Sequence, residues 1–300
     1  MGDRRAYLAR LRHRLLGTPN RAGTSVATFH HEAREYFNRF VDELHPQRRT
    51  ATGERYAWPG DEWSSPDLRE RIFSVLMAGL KLGTVKRIVE IGPGSGKYTE
   101  MLLRRSACAV RAYDMSDRFL DVLGNRCHEA IRQGRLTTHL MNWEANRGFL
   151  DDLAAAGWTR TIDALVGVDV FIHIDLQALV VYLLTAALAL RHEGKLLATF
   201  ANPLSPSGTQ ALLAGVREYA AFQTRPSSKF HWITNETLRA LLPILGFRID
   251  NLVDGDGATL DFGRSYVVAT LSDLSAAEGL RALLDEDASA NRGPIVKAST

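Results

Sequence analysis

Three hundred residues, 45% hydrophobic and 24% charged, supply enough apolar side chains for a large packed core and exclude a disordered or fibrous chain. The 37 Lys and Arg residues against 34 Asp and Glu give a net charge of only +3. That balance does not indicate a dedicated nucleic-acid-binding protein, whose charge would be concentrated on one basic face.

The cysteines and the apolar runs indicate the compartment in which the protein works. Two cysteines without a CxxC pair argue against a disulfide framework and against a zinc site. The longest apolar run, Ala178 to Leu190, is shorter than the roughly 20 residues that span a bilayer, and the N-terminus lacks the apolar segment of a signal peptide. We therefore expect a cytoplasmic protein with no membrane partner.

Residues 1–84 predict a helical N-terminal cap. Residues 3–16 form a basic amphipathic segment, residues 28–44 repeat apolar side chains at helical spacing, and Ser65 and Pro66 stand at N-cap and N1 positions of a third helix. These helices are expected to cover the carboxyl edge of a sheet, where open α/β folds bind ligands. The basic first helix could dock RNA or an acyl-carrier partner, but a solvated face is favoured.

Histidines and glutamates cluster in the second of these helices, and a metal site is one interpretation of them. His31 and Glu35 are one turn apart, but the spacing is not that of an HExxH motif. A solvated helix face explains the cluster better, so no metal is expected. The cluster comprises His30, His31, Glu32 and Glu35.

From Val85 onward, short β-branched runs alternate with helix-length amphipathic segments, a pattern typical of βαβ units. Ser116, Asp175 and Thr234 stand where helix N-caps are expected, and Gly194 and Gly246 where helices should end. The predicted strands are Arg87–Ile91, Ala109–Tyr113, Leu136–Met141, Ile162–Val168, Lys195–Phe200, Phe247–Val253 and Ser265–Leu271.

The last two predicted strands are joined by a DGDG turn at 254–257 with no helix between them, so they are predicted to pair antiparallel. The fold class is therefore α/β: a Rossmann-like, doubly wound, seven-stranded sheet with an antiparallel last strand and a helical N-terminal cap. We assign this core to residues 85–272 and a C-terminal helix and tail to 273–300.

The stretch VEIGPGSGKY, residues 89–98, resembles several nucleotide-binding loops. A phosphate-binding GxxxxGK[ST] loop is excluded, because Tyr98 follows Lys97 and Ile91 replaces the first glycine. A dinucleotide GxGxxG fingerprint is weakened, because its third glycine would fall on Lys97. We expect Lys97 to begin a helix and to point to solvent.

What remains is a GxGxG turn preceded by Glu90 and followed, about 20 residues on, by Asp114 at the end of the second strand. Glycines let the backbone approach a nucleoside closely, and a carboxylate can accept hydrogen bonds from both ribose hydroxyls. The spacing therefore favours a nucleoside that carries an amino-acid tail in place of a diphosphate.

With these motifs in order, the chain resembles the class I S-adenosylmethionine-dependent methyltransferases over residues 85–271. The resemblance rests on VEIGPGSGKY, on VRAYDMS at 110–116, on VGVDVFIHI at 166–174, on GKLLATF at 194–200 and on the run at 231–247. It implies S-adenosylmethionine as the cofactor.

The resemblance also implies roles for individual residues. Glu90 would fix the loop, and Asp114 would hold the ribose. The remaining cofactor-binding positions would be Gly92, Pro93 and Gly94 under the methionine end, Met115 against the adenine, Asn142 and Trp143 after the third strand, and Val168 at the end of the fourth.

Acceptor chemistry is expected after the fourth strand. Transfer of a methyl group to oxygen requires removal of a proton, and His173 is our candidate base. Asp169 could orient His173 or contact the cofactor. The alternative is that His173 packs or caps the next helix.

Aromatic residues outside these motifs are candidates for substrate binding. Trp58 and Trp63 stand beside Asp61 and Glu62, a composition that suits a sugar ring or a cation, although an aromatic plug fits equally well. His231 and Trp232 precede the late helix, where they could wall the acceptor cleft or form a hydrophobic staple.

The sequence therefore predicts methyl transfer to a small-molecule acceptor, most naturally a hydroxyl of a natural product or sugar. The alternatives are N-methylation of a small amine held by Asp61, Glu62 or Asp169, and a non-catalytic cofactor-binding scaffold. RNA methylation is disfavoured, because no basic, aromatic-interleaved domain is present. Homodimer formation is left open.

Overall fold

The computed structural model describes residues 26–141, 149–222, 230–255, 263–281 and 284. Within these ranges, the strands form one seven-stranded sheet in the order β3-β2-β1-β4-β5-β7-β6. The strands are β1 Arg87–Ile91, β2 Ala109–Asp114, β3 Leu136–Leu140, β4 Ile162–Gly167, β5 Leu190–Ala201, β6 Phe247–Asp254 and β7 Arg264–Leu271.

β7 is antiparallel to both of its neighbours, whereas the pairings among β1 to β5 are parallel. The helices are α1 Val26–Arg39, α2 Pro66–Met77, α3 Lys97–Arg105, α4 Asp117–Arg126, α5 His128–Arg132, α6 Leu150–Ala155, α7 Leu176–Ala189, α8 Pro206–Phe222, α9 Asn235–Ile244 and α10 Leu274–Leu280. The predicted seven-stranded sheet with its antiparallel strand pair is confirmed.

Side-chain caps fix the helix starts that the sequence predicted. Ser65, Ser116, Asp175 and Thr234 each accept a hydrogen bond from the backbone N–H three residues later. Each bond satisfies a donor that the first helical turn leaves without an intrahelical partner. Each helix start is thereby fixed by a local contact.

One predicted helix end was wrong. Gly194 was expected to terminate a helix, but α7 ends at Ala189 and β5 begins at Leu190. The register between β4 and β5 shifts there, from Ile162 opposite Leu190 to Ala164 opposite Lys195. Gly194 lies in this irregularity, where a Cβ would come within 2.9 Å of the Arg191 carbonyl oxygen.

The sheet separates two apolar clusters, one of which includes α2. The buried side chains of α2 pack with Ile88 of β1, Val110 of β2 and Tyr266 of β7. This helix therefore covers a face of the sheet, whereas all three N-terminal helices were expected at its carboxyl edge. The α2 residues involved are Leu68, Ile72, Phe73, Leu76 and Met77.

α1 is held against the start of α4. Asn38 donates to Asp117 at 2.7 Å and accepts from the Ser116 hydroxyl at 2.6 Å. Arg34 forms an ion pair with Asp117 at 3.2 Å. These contacts place the C-terminal half of α1 beside the carboxyl ends of β1 and β2.

Candidate active site

A cavity of about 430 Å³ lies at the carboxyl edge of the sheet. Its walls are mostly apolar, with charged groups at only a few positions. The strand ends contribute Ile91, Gly92, Gly94, Tyr113, Asp114 and Met115. The N-terminal cap and α4 add Tyr36, Phe37, Trp63 and Phe119, and the remaining wall includes Asp169, Val170, His173, Phe230 and Arg264.

The glycine turn at residues 92–96 lets the backbone after β1 come close to the cavity and to the loop after β4. Gly92, Gly94 and Gly96 all have positive φ, at 62°, 54° and 83°. A Cβ at Gly92 would overlap the Val170 side chain, so the turn after β1 packs directly on the loop after β4. Gly92 and Gly94 line the cavity, and Pro93 closes the turn by accepting a 2.9 Å hydrogen bond from the Gly96 N–H.

Asp114 joins the ends of β1 and β2. Its carboxylate accepts hydrogen bonds from the Gly94 N–H at 3.1 Å and from the Ser116 N–H at 2.9 Å, and it lines the cavity. Burial raises its pKa to about 6, against the opposing effect of these hydrogen bonds. The group is therefore ionised near neutral pH and can accept hydrogen bonds from a ligand.

Glu90 lies beneath the turn. It is 2% exposed, and its carboxylate accepts a 2.6 Å hydrogen bond from Thr99 in α3. Burial raises its pKa to about 7, and the nearby charge of Asp114 adds to the increase. Glu90 thus ties β1 to α3 on either side of the glycine turn.

The other predicted cofactor residues divide into three groups. Met115 lines the cavity, as does Met141 after β3. Val168 is 8% exposed and packs in the apolar cluster with the sheet. Asn142 and Trp143 lie outside the described residues.

His173 ends a short 3-10 turn after β4 and faces the cavity. Its imidazole lies edge-on to Phe37 at 5.7 Å between ring centroids and beside Phe230 at 5.9 Å. Asp169 lines the same cavity as His173. The predicted base is therefore brought to the same cavity as the glycine turn.

Sequence reasoning missed the partner of Asp169. Arg264, the first residue of β7, forms an ion pair with Asp169 at 2.6 Å, and both line the cavity. Burial opposes ionisation of Asp169, but the charges of Arg264 and Lys97 outweigh it and lower its pKa. The available signal was one charged residue opening an otherwise uncharged strand, RSYVVATL.

Lys97 does not point to solvent as expected. It is 9% exposed, and its ammonium group lies 3.3 Å from the Ser64 hydroxyl and 3.4 Å from the Gly60 carbonyl oxygen. It also lies over the Trp63 ring at 5.8 Å. The turn at 60–64 covers the start of α3, so this lysine joins the cap to the glycine turn.

The two tryptophans predicted to bind substrate, Trp58 and Trp63, lie in different places. Trp63 lines the cavity and packs on Phe40 at 4.7 Å between ring centroids. Trp58 is not among the cavity-lining residues and lies under the Arg126 guanidinium at 5.8 Å.

The acids beside these tryptophans have partners of their own. Asp61 pairs with Arg69 at 3.1 Å and with Arg126 at 3.2 Å. Glu62 accepts from the Gly60 N–H at 2.7 Å and lies 3.5 Å from His45. Neither acid is among the residues that line the cavity.

The backbones of His231 and Trp232 hold their segment against the loop after β4 and against β5. The His231 N–H donates to the Ile172 carbonyl at 2.7 Å, and Trp232 bridges to Ala201 of β5. Their neighbour Phe230, packed edge-on to Trp232 at 5.5 Å, is the residue that lines the cavity.

Two kinds of feature are absent from the described ranges. No cluster of three or more His, Cys, Asp or Glu side chains there is arranged to hold a metal ion. Nor does any helix in those ranges combine the length and apolarity needed to cross a membrane.

No protein-family model and no curated protein matches the sequence. Solved structures do match. Magnesium protoporphyrin IX methyltransferase (ChlM) from Synechocystis PCC 6803 with bound SAH is 17% identical, covering 81% of this chain and 99% of its own, with a TM-score of 0.58. The N-methyltransferase NodS from Bradyrhizobium japonicum WM9, in complex with S-adenosyl-l-homocysteine, is 16% identical, covering 81% and 100%, with a TM-score of 0.53.

An O-methyltransferase family protein from Burkholderia thailandensis is 15% identical, covering 69% of this chain and 57% of its own, with a TM-score of 0.50. Together with the strand order, these similarities show that the chain has the fold of the class I S-adenosylmethionine-dependent methyltransferases. The fold that the sequence motifs implied is confirmed.

Proposed function

We propose that the protein is an S-adenosylmethionine-dependent methyltransferase whose acceptor is a hydroxyl group on an apolar, aromatic small molecule. The observation that carries the proposal is one cavity that joins the glycine turn, Asp114 and His173. When bound, S-adenosylmethionine supplies an electrophilic methyl group on a sulfonium.

The residues present fit this cofactor. Gly92 and Gly94 remove side chains where a nucleoside would approach the backbone, and a Cβ at Gly92 has no room beside Val170. Asp114 offers a carboxylate at the end of β2 for the ribose hydroxyls, held in place by the Gly94 and Ser116 N–H groups. Met115 adds an apolar wall.

His173 is the proposed general base. An imidazole accepts a proton in the neutral pH range, and general-base catalysis typically contributes 10²- to 10⁴-fold in rate. Asp169 lines the same cavity, where its negative charge would favour the imidazolium that forms when the hydroxyl proton is taken. Phe37 and Phe230 pack against the imidazole ring.

The contacts of the acids support a hydroxyl acceptor over an amine. Of the three acids that could hold a substrate cation, Asp61 and Glu62 do not line the cavity and have partners within the chain. Asp169 does line it, but beside the glycine turn, where a bound cofactor rather than the acceptor would be its neighbour. The mostly apolar lining, with Tyr36, Phe37 and Phe230, also favours an aromatic acceptor over a sugar.

The test is mass spectrometry of phenols, sugars and amines incubated with the protein and methyl-labelled S-adenosylmethionine. We expect label on a phenolic hydroxyl, with a rate that falls as the pH is lowered and the histidine base takes up a proton. At saturating cofactor, His173→Ala should lower the rate roughly 100-fold or more and abolish that pH dependence. The exposed His192, changed to Ala, is the matched control and should leave both unchanged.

Label on amines alone, or an unchanged pH profile in His173→Ala, would contradict the hydroxyl assignment. Cofactor binding without any labelled product across the panel would favour the non-catalytic scaffold.

A further inference from the structure

The cavity wall contains an ion pair whose arginine the proposed chemistry does not use. Asp169 and Arg264 lie 2.6 Å apart, with side chains 19% and 12% exposed. An ion pair removed from water is costly to form, so its presence in a ligand cavity needs a reason.

The backbone holds Asp169 in an unusual conformation that directs it to this place. Its φ is 59°, a left-handed conformation uncommon for residues other than glycine. The Thr199 hydroxyl fixes it by accepting a 2.8 Å hydrogen bond from the Asp169 N–H. The next residue, Val170, packs on Gly92, so Asp169 is adjacent to the glycine turn. Such strained residues concentrate at ligand sites.

Arg264 reaches this point from a different part of the sheet. It is the first residue of β7, opposite Ala201 at the end of β5, so its side chain crosses β5 to meet the loop after β4. The Phe230 ring lies 5.8 Å from its guanidinium carbon. A guanidinium carries enough N–H donors to serve Asp169 and a second carboxylate together.

Arg264 is the cation that contacts Asp169 directly. Lys97 is buried nearby, but burial lowers its pKa, and Asp61 acts on it as well as Asp169. The described hydrogen bonds of Lys97 go to the neutral oxygens of Gly60 and Ser64. Arg264 is therefore the group through which the pair would meet a ligand anion in the cavity.

We propose that Asp169 and Arg264 recognise the zwitterionic amino-acid tail of S-adenosylmethionine, and that Arg264 selects for its carboxylate. In this arrangement Asp169 accepts from the tail ammonium while the Arg264 guanidinium donates to the carboxylate, so the two opposite charges of the tail match those of the pair. The inference rests on the proposed function, since it concerns the cofactor of the same site.

The test is calorimetric binding of two ligands to the full chain: S-adenosylhomocysteine and its decarboxylated analogue, which lacks only the tail carboxylate. The wild-type protein should prefer S-adenosylhomocysteine. Arg264→Gln should weaken S-adenosylhomocysteine roughly 10-fold or more while leaving the analogue within about 2-fold, so that the preference disappears. Arg248→Gln, at an exposed arginine of β6, is the matched control and should keep the preference.

Because Arg264→Gln leaves Asp169 without its partner, the double variant D169N/R264Q is measured beside it, with thermal melting to establish folding. It should also lose the preference. If either folded variant keeps the wild-type preference, or if both ligands weaken equally, Arg264 does not read the carboxylate and the inference is overturned while the proposed function stands. If the wild-type protein binds neither ligand, the proposed function itself fails.

Discussion

The carboxyl group of Asp114 titrates close to neutrality because it is buried at the end of β2. Only the ionised group can accept from both ribose hydroxyls, so ligand affinity should follow its ionisation. With a pKa of about 6, affinity for S-adenosylhomocysteine should be full at pH 7.5 and should fall roughly 10-fold by pH 5. Asp114→Asn should weaken binding at pH 7.5 and remove this dependence, as measured by calorimetry across the range.

The control for that titration is Asp121→Asn, an exposed acid on the same helix that follows β2. The affinity of the Asp121→Asn variant for S-adenosylhomocysteine should retain the wild-type pH profile. An affinity that stays constant from pH 5 to 7.5 in the wild-type protein would contradict the role of Asp114.

Glu90 should make the unfolding free energy depend on pH. Folding raises its pKa from 4.5 to about 7, so the folded state binds this proton more tightly than the unfolded state does. The stabilisation is therefore present below pH 4.5 and is lost as the pH rises to about 7. Between pH 5 and pH 8, wild type should lose about 2–3 kcal/mol relative to Glu90→Gln.

Urea unfolding at the two pH values measures that difference. Glu43→Gln, at an exposed glutamate, should behave as wild type. Parallel pH profiles for wild type and Glu90→Gln would show that Glu90 is not titrating as proposed.

At the scale of elements, the turn between β1 and α3 depends on two separate properties of Gly92. Its φ of 62° disfavours any side chain, and a Cβ there would lie 2.7 Å from the Val170 Cβ. Gly53 has φ 86°, and a Cβ added to it would meet nothing within 4 Å. A substitution by alanine at Gly53 therefore measures the cost of the backbone conformation without a steric clash.

We expect Gly53→Ala to destabilise the protein by about 1 kcal/mol, the cost of a left-handed L-residue. Gly92→Ala should cost about 1–3 kcal/mol more from overpacking and should weaken S-adenosylhomocysteine binding. Val170→Ala added to Gly92→Ala should recover only part of the loss, because the Cβ of residue 170 remains. Urea unfolding and calorimetry measure the series, and equal costs at Gly53 and Gly92 would show that the two loops do not pack as described.

The same turn shows how far sequence can predict such elements. Except at the start of β5, strand bounds were predicted to within one residue because buried β-branched runs and N-cap residues such as Ser116 act locally. Lys97 was placed in solvent, since its burial depends on a turn 33 residues earlier that supplies Ser64. Arg264 was missed for the same reason: its partner Asp169 is distant in sequence and adjacent only through the sheet order. Local patterns predict elements, whereas paired charges depend on topology.

Across the whole molecule, we propose from the packing that the N-terminal cap ends earlier than helical periodicity predicted. α2 packs with strand residues in one apolar cluster, while α1 and the turn containing Trp63 cover the cavity. The boundary of the cap was expected after residue 84. The packing favours a boundary just before α2, whose N-cap is Ser65.

Two shortened chains distinguish these boundaries. A chain that begins at residue 85 lacks the five buried side chains of α2, whose burial contributes on the order of 10 kcal/mol, comparable with the total stability of a domain. It should fail to fold or should aggregate, because Ile88 and Tyr266 lose their cover.

A chain that begins at residue 65 keeps α2 and should melt cooperatively by circular dichroism. Yet it should bind S-adenosylhomocysteine at least roughly 10-fold more weakly, because the cavity loses Phe37 and Trp63. Cooperative melting of the chain from residue 85 would show that α2 belongs with the cap; full affinity in the chain from residue 65 would show that the cap does not close the cofactor site.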